Sequence, residues 1–447
     1  FGEVDFVAPK LTSMLLMKRL ELVRAFRHNQ FARFSARELH EHHLEELGFL
    51  WGRWRAAIRD PDYTLAGVAG LEERIQAHLQ GVQVPGDRAL PRLLELLAED
   101  DADLAFAAAY ALLHRGVPEL TERVLAAFAT AGDEVFHALA AALAYGPLPT
   151  SVLERVRAQL SESLAIRGVA AAEVLAFHGV PVLTGEQLRY FVEDDEAATR
   201  VAGWRLAALL GVQLPPQSYA RAMRDPHPAV LPAALEAGAW CGVPGVLLAL
   251  RQLAEAPSAE RMEALHLLAV IGGPEDAPCL YALAGNAELG PARFRLAGAF
   301  GDPRFMGLVL RALDDPDPAT AAAAGAAVAR LTGVDVASGP RAAVPPSGGG
   351  TPDAFDAAFL EEVTLPDAAR ARSEWEKLRP RMEHVPRLCR GVDVSQIPGA
   401  DAVARLDMES RRELLLRERF HRRWTGTPLA LERFPQARTA PVARPPA

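Results

Sequence analysis

The sequence predicts an all-α fold: an α-solenoid of about eight helical hairpins with a helical N-terminal cap and a C-terminal extension. Three observations predict it. A glycine punctuation recurs every 29 to 33 residues through the middle of the chain. A second break, acidic or proline-containing, falls midway between successive glycines. Half of the 447 residues are apolar but only 7% are aromatic, so Ala, Leu and Val must form the core. Such small, closely approaching surfaces suit packed helices better than sheets.

The glycines are Gly116, Gly146, Gly179, Gly211, Gly242, Gly272, Gly301 and Gly333, separated by 30, 33, 32, 31, 30, 29 and 32 residues. Val and Pro often follow, as in Gly116-Val117-Pro118 and Gly242-Val243-Pro244. Gly accepts the left-handed conformation just past a helix C-terminus, and Pro is tolerated in the first turn of the next helix. The midway breaks include Glu99-Asp100-Asp101, Asp194-Asp195, Asp225-Pro226-His227-Pro228 and Asp314-Asp315-Pro316-Asp317-Pro318. Their side-chain oxygens are placed to cap the second helix and to set negative charge at its positive end. Recurrence at one place in the repeat argues for capping over catalytic carboxylates or calcium ligands. Between breaks the apolar residues keep helical spacing, as at Leu90, Leu93, Leu94 and Leu97, then Leu104, Ala108, Ala111 and Leu112. One such hairpin cannot cover its own apolar faces, so neighbours must stack.

Four regions follow: an N-terminal helical cap over residues 1–87, repeats over 88–334, a flexible Pro/Gly-rich linker over 335–366 and an Arg-rich helical extension with an irregular tail over 367–447. Residues 36–81 read as two helices separated by Asp60-Pro61-Asp62-Tyr63-Thr64. Trp51, Trp54 and Tyr63, with Phe49, form the densest aromatic group, either a seal on the first repeat or a partner-binding cleft. Trp204 and Trp240, on successive second helices, read as core. The linker contains Pro345-Pro346-Ser347-Gly348-Gly349-Gly350. Beyond it, residues 367–381 and 407–424 read as helices, the latter with Asp407 as N-cap and Leu416, Phe420 and Trp424 along one face.

Net charge is −9 and unevenly spread: residues 367–447 hold 17 Arg/Lys against 11 Asp/Glu, and the preceding 366 hold 31 against 46. An acidic body disfavours nucleic acid, because phosphate contacts need clustered cations. Such a cluster exists at Arg411, Arg412, Arg417, Arg419, Arg422 and Arg423, a candidate partner-binding surface. These arginines encircle their helix, and Glu409, Glu413 and Glu418 are spaced to neutralise several of them. Packing against the acidic repeats therefore stands beside binding of a protein or of phosphates.

Cys241, Cys279 and Cys389 form no CxxC pair, which excludes a disulfide framework and a zinc ribbon and points to a reducing cytoplasm. No apolar run approaches the roughly 18 residues of a membrane span, and residues 14–17 are too short for a signal-peptide core. His40, His42 and His43 lie near Glu45 and Glu46 without an HExxH arrangement, so a partner-facing or solvated helix end is favoured over a metal site. No Gly-rich phosphate loop, GxSxG elbow or Cys with an evident His base is present, so neither cofactor nor catalytic residue is expected.

The run Leu313-Asp314-Asp315-Pro316-Asp317-Pro318, the alanines Ala322, Ala323 and Ala324, and Leu331-Thr332-Gly333 resemble the HEAT-repeat superfamily: helix, acidic-proline turn, Ala-rich helix, closing Gly. Most units lack that family's Val-Arg pair after the turn, and Arg200-Val201 has the reverse order. Residues 41–51, Tyr63-Thr64-Leu65, Leu71-Glu72-Glu73-Arg74 and His78-Leu79 resemble the start of a narrower bacterial HEAT-repeat family, often encoded beside type VI secretion genes. The likeness runs through the repeats to Trp375 and the Gly391 region. Repeat architecture without a catalytic site points to a non-enzymatic scaffold that binds a protein, and the resemblance implies that this partner is a secretion-apparatus component; no membrane is involved and the acidic repeats disfavour nucleic acid. Two rivals stand beside it. A HEAT-like enzyme of the DNA glycosylase kind would line its concavity with cations, and one of the bilin lyase kind would bind a tetrapyrrole. A regulatory subunit would fold its basic C-terminal segment over the acidic repeats until a partner displaced it.

Overall fold

The computed structural model describes residues 36–162, 165–180, 183–344 and 360–435. The expectations for residues 14–17, for 345–350 and for the tail past 435 lie outside the described residues. The protein is predominantly α-helical, at 70%, with 22 α-helices among the described residues. Helices α1 (Ala36–Ala57) and α2 (Leu65–Gln83) form the first antiparallel pair, and Thr64 caps α2. Eight hairpins follow: α3 (Leu90–Leu96) with α4 (Ala102–Leu113), α5 (Pro118–Thr130) with α6 (Asp133–Tyr145), α7 (Thr150–Glu162) with α8 (Ala165–Phe177), and α9 (Gly185–Val192) with α10 (Ala197–Leu210). Next come α11 (Pro216–Ala222) with α12 (Val230–Trp240), α13 (Pro244–Glu255) with α14 (Met262–Ile271), α15 (Ala277–Gly285) with α16 (Arg293–Phe300), and α17 (Met306–Ala312) with α18 (Pro318–Thr332).

The second helices form one row. Each of α1, α4, α6, α8, α10, α12, α14, α16 and α18 packs on the next, and each first helix packs on its own second helix. The row is tight because its residues are small. In α4, Ala105, Ala107, Ala108, Ala109 and Ala111 are all buried, with Phe106 and Tyr110 filling the remaining volume. Glycines mark the closest approaches: a Cβ at Gly238 would sit 2.4 Å from Val246 Cγ2, and one at Gly48 would sit 2.5 Å from the Asp103 carbonyl oxygen. Trp204 and Trp240 are fully buried in the row. Burying one such large side chain contributes about 1.5–3 kcal/mol.

Six of the eight repeating glycines do adopt positive φ, including Gly116 at 65°, Gly211 at 66° and Gly333 at 78°. Gly146 and Gly272 do not: they are extended, with φ of −80° and −62°. Gly146 directly precedes Pro147, whose ring pushes the preceding residue out of helical space. The acidic breaks also divide into two kinds. Asp101 and Asp317 cap as expected, accepting the Leu104 and Thr320 N–H groups at 2.9 and 3.1 Å. At the other two breaks the acids do not cap: α10 and α12 begin at Glu196 and Ala229 without a side-chain cap. There Asp225 takes both arms of Arg200, at 2.7 and 2.8 Å, and the Asp194 and Asp195 carbonyls take a third guanidinium N–H. Asp194 and Asp225 also accept the Glu196 and His227 N–H groups at 2.9 Å, so these acids shape the turn ahead of the helix instead of capping its first turn.

Within the segment read as linker, β1 (Arg341–Ala343) pairs antiparallel with β2 (Glu362–Thr364), Ala342 facing Val363. The extension then supplies α19 (Ala368–Met382), a hairpin of β3 (Leu388–Cys389) and β4 (Val392–Asp393), α20 (Ala400–Ala404), α21 (Met408–Phe420) and α22 (Pro428–Glu432). Asp407 caps α21 as expected, but Trp424 lies beyond its end. Arg422, at φ 60°, turns the chain, and the Arg423 N–H bonds back to the Glu418 carbonyl at 2.7 Å, closing the helix four residues early.

Gly48→Ala should force α1 away from α4 and cost about 1–3 kcal/mol, measured by urea unfolding. Gly52→Ala, with open space at its Cβ, should be neutral or stabilising.

Candidate interaction surface and its C-terminal occupant

The free side of the second-helix row carries the chain's own extension. α21 packs on α12 and α14, and α22 packs on α10. Leu415, Leu416, Trp424 and Leu431 join the same apolar core as the repeats, with the Trp424 ring 6.3 Å from that of Trp240. The β3–β4 hairpin closes on the last two repeats by backbone bonds: Leu388 N–H to the Gly301 carbonyl at 2.7 Å, and Gly391 N–H to the Leu331 carbonyl at 2.9 Å. Gly301 and Gly333 are needed here twice over. Both hold φ of 78°, and a Cβ would sit 2.3 Å from the Leu388 oxygen or 2.7 Å from the Arg390 oxygen.

Asp407 is the joint. Its buried carboxylate accepts the Ser410 N–H at 2.7 Å, capping α21, and takes Arg390 Nε at 2.7 Å and Arg330 at 3.2 Å. Arg330 comes from the last repeat and Arg390 from the β3–β4 turn. On its other side the Met408 N–H bonds to the Tyr63 carbonyl at 2.8 Å, and Arg390 reaches the Pro61 carbonyl at 3.1 Å. One short segment therefore touches both the α1–α2 turn and α18, the two ends of the row.

Beside it, Glu413 is held by Arg330 and by His266 Nε2, the latter at 2.7 Å. Burial alone would raise the Glu413 carboxyl; Arg330 and His266 outweigh it and hold it down at about 2. Glu409 moves the other way, pushed up by burial and by the Glu413 charge. His266, Glu409 and Glu413 bring their ligand atoms within 4.8 Å of one another, the one group among the described residues arranged to hold a metal ion. Arg330 lies against both carboxylates, and Arg295 against Glu409 at 3.6 Å, so the trio as folded is an ion-pair cluster with its charge already met.

The arginine cluster is spent mainly inside the molecule. Arg412 bonds Glu236 at 2.9 Å and Glu432 at 3.3 Å, and lies over the Trp240 ring. Arg419 reaches the Trp240 carbonyl at 3.1 Å. Arg417 and Arg423 share the fully buried Glu418, at 3.0 and 2.6 Å. Arg411 is buried, which lowers its pKa, and Arg422 is exposed. Trp51 and Trp54 are buried, stacked 4.9 Å apart; Phe106 covers Trp51 at 4.4 Å, and Phe434 of the extension meets both indoles. Of their group only Phe49 is well exposed, at 56%, while half-buried Tyr63 accepts Arg53 Nε at 2.7 Å. Of the candidate partner contacts, Trp51, Trp54, Arg411 and Arg417 are thus buried within this chain, Arg412 and Arg419 are half-buried, and Arg422 and Arg423 are exposed. His40 Nε2 contacts the Val82 carbonyl at 3.1 Å and His43 contacts His78 at 3.1 Å, joining α1 to α2. No helix among the described residues is long and apolar enough to cross a membrane. The chain matches no protein-family model and no curated protein.

Asp407→Ala leaves Arg330 and Arg390 facing each other without their shared acid. It should cost about 3–5 kcal/mol and expose the extension to proteolysis before the repeats, as followed by urea unfolding and limited trypsin digestion. Glu413 adds a pH signature. Its folded pKa of about 2 lies below the ordinary 4.5, so its stabilisation is complete above pH 4.5 and is lost as pH falls toward 2. The loss should reach roughly 3 kcal/mol. Glu409 titrates in the opposite sense, so Glu413→Gln against wild type in urea melts at pH 6, 4 and 3 isolates the effect; the variant should lack that slope.

Proposed function

We propose that the chain is a non-catalytic protein-interaction scaffold, an α-solenoid of HEAT-like hairpins that serves as an accessory to a bacterial type VI secretion apparatus. The observation that carries the reading is the unbroken row of nine helices, each packed on the next, with eight first helices beside it. Such arrays present extended surfaces made of many equivalent positions, which suits recognition of another protein. The secretion link rests on the resemblance of residues 41–51 and 63–79 to the family encoded beside those genes.

The occupied side of the second-helix row directs attention to the first helices. Tyr190 on α9 and Leu248 on α13 are 80% and 61% exposed, large apolar side chains on a surface that needs none for folding. Between α11 and α13 lies an apolar cavity of about 210 Å³, lined by Tyr219, Met223, Val246 and Ala249, sized for a partner's side chain. The DNA-binding alternative is weakened by the same geometry, because Arg412 and Arg419 of α21 are turned onto Glu236 and the Trp240 carbonyl of this chain instead of forming an open cationic track for a nucleic-acid backbone.

Affinity purification of the full-length protein from its native host, with mass spectrometry, tests the reading. Sheath, baseplate or effector components should co-purify, and the double variant Tyr190→Asp, Leu248→Asp should reduce their recovery at least about tenfold without lowering the melting temperature. Recovery of nucleic acid or a tetrapyrrole in place of such proteins would sink the scaffold assignment.

A further inference from the structure

A cavity of about 440 Å³ lies where the C-terminal ends of α14 and α16 meet the extension. The repeats contribute Gly272–Pro274, Phe300 and Asp302–Arg304; the extension contributes residues 383–387, Ser395, Arg417, His421 and Arg423. Neither part makes the site alone.

Its charges do not cancel. Arg304 is matched by Asp302, with Nε 2.9 Å from Oδ2, and Glu383 is drawn off by Arg379 at 2.9 Å. Arg417 and Arg423, however, share the single carboxylate of Glu418. Arg387 pairs with no carboxylate among the described residues, Glu413 and Glu418 acting on it only through space: its guanidinium donates to the backbone carbonyls of Ala269, Val270, Gly272 and Ala299, and lies over the Phe300 ring. Those carbonyls are helix C-termini, which favour a cation but supply only about half a charge each. Burial, and then the neighbouring Arg417, push the Arg387 pKa well below its ordinary value, as a cation lacking its counter-ion should behave. Two guanidinium charges are therefore left over at one cavity, with His421 at its wall.

We propose that this cavity binds a small organic dianion, a phosphate monoester, with its phosphate among Arg387, Arg417 and Arg423 and its body against Phe300, Pro274 and Pro386. A phosphate monoester carries about −1.5 to −2 at neutral pH and offers three acceptor oxygens to guanidinium donors. The cavity is far roomier than one phosphate needs, and its wall includes an apolar stretch of Pro274, Phe300, Pro303, Val385 and Pro386, which assigns the rest of the ligand. Because the walls come from two parts of the chain, the bound ligand pins the extension to the repeats.

Isothermal titration and thermal melts of the full-length protein with phenyl phosphate, inorganic phosphate and phthalate decide the matter. Phenyl phosphate should bind at one site and raise the melting temperature, at least about tenfold more tightly than inorganic phosphate. Arg423→Gln should weaken it by about tenfold or more, whereas Arg189→Gln, on the remote α9, should leave it unchanged. If Arg423→Gln melts early without ligand, Arg304→Gln, whose side chain is 72% exposed, replaces it with a smaller expected loss at the same wall. The proposal is overturned by absence of saturable phenyl phosphate binding, by phthalate binding more tightly, or by affinity that survives intact in the folded arginine variants.

Discussion

A hairpin of two helices of 7 to 15 residues has no way to hide its own apolar faces, and everything else in this protein follows from that constraint. Each second helix must be covered on both sides by its neighbours, so the residues between must be small. Alanines fill α4, and glycines stand at the closest crossings, such as Gly238 against Val246. The row still has two ends and one open side. The ends are met by α1–α2 and by the β1–β2 and α19 region; the open side is met by α21 and α22.

The extension is held by two kinds of force with different roles. Leu415, Leu416, Trp424 and Leu431 bury apolar surface and supply most of the attraction. The buried ion pairs around Asp407, Glu413 and Glu418 contribute less net energy, because removing both charges from water costs nearly what their attraction returns. What they provide is register: Asp407 satisfies Arg330, Arg390 and the first turn of α21 only when all three are in place. The anion cavity lies along this same seam, so ligand occupancy and attachment of the extension are linked.

Most of the helix pattern was legible because it depends on nearest neighbours in sequence. Glycine spacing, proline at the first helical position, and Asp101, Asp317 and Asp407 as N-caps are local chemistry. The misreadings came where a distant group intervened. Asp225 binds Arg200 and its own turn instead of a helix N-terminus, and α21 ends at Phe420, with the turn at Arg422, so that Trp424 can reach Trp240. The aromatic group around Trp51 was visible, but that Phe434 would complete it was not, since nearly the whole chain lies between them. Nor did any motif mark the 440 Å³ cavity: its arginines belong to segments that read separately as turn and helix.

By itself, then, the sequence determined that the chain is helical, where most of its breaks fall, and that its hairpins must stack, because capping, periodicity and composition act over a few residues. It also recorded the opposite charge of the repeats and the extension. Only the tertiary structure decided what that charge is used for. A segment carrying six arginines in thirteen residues has the same composition whether it faces solvent, a partner or its own chain. The choice was made by the open side of the row, with Glu236 and the Trp240 carbonyl 176 and 179 positions away from the arginines they hold.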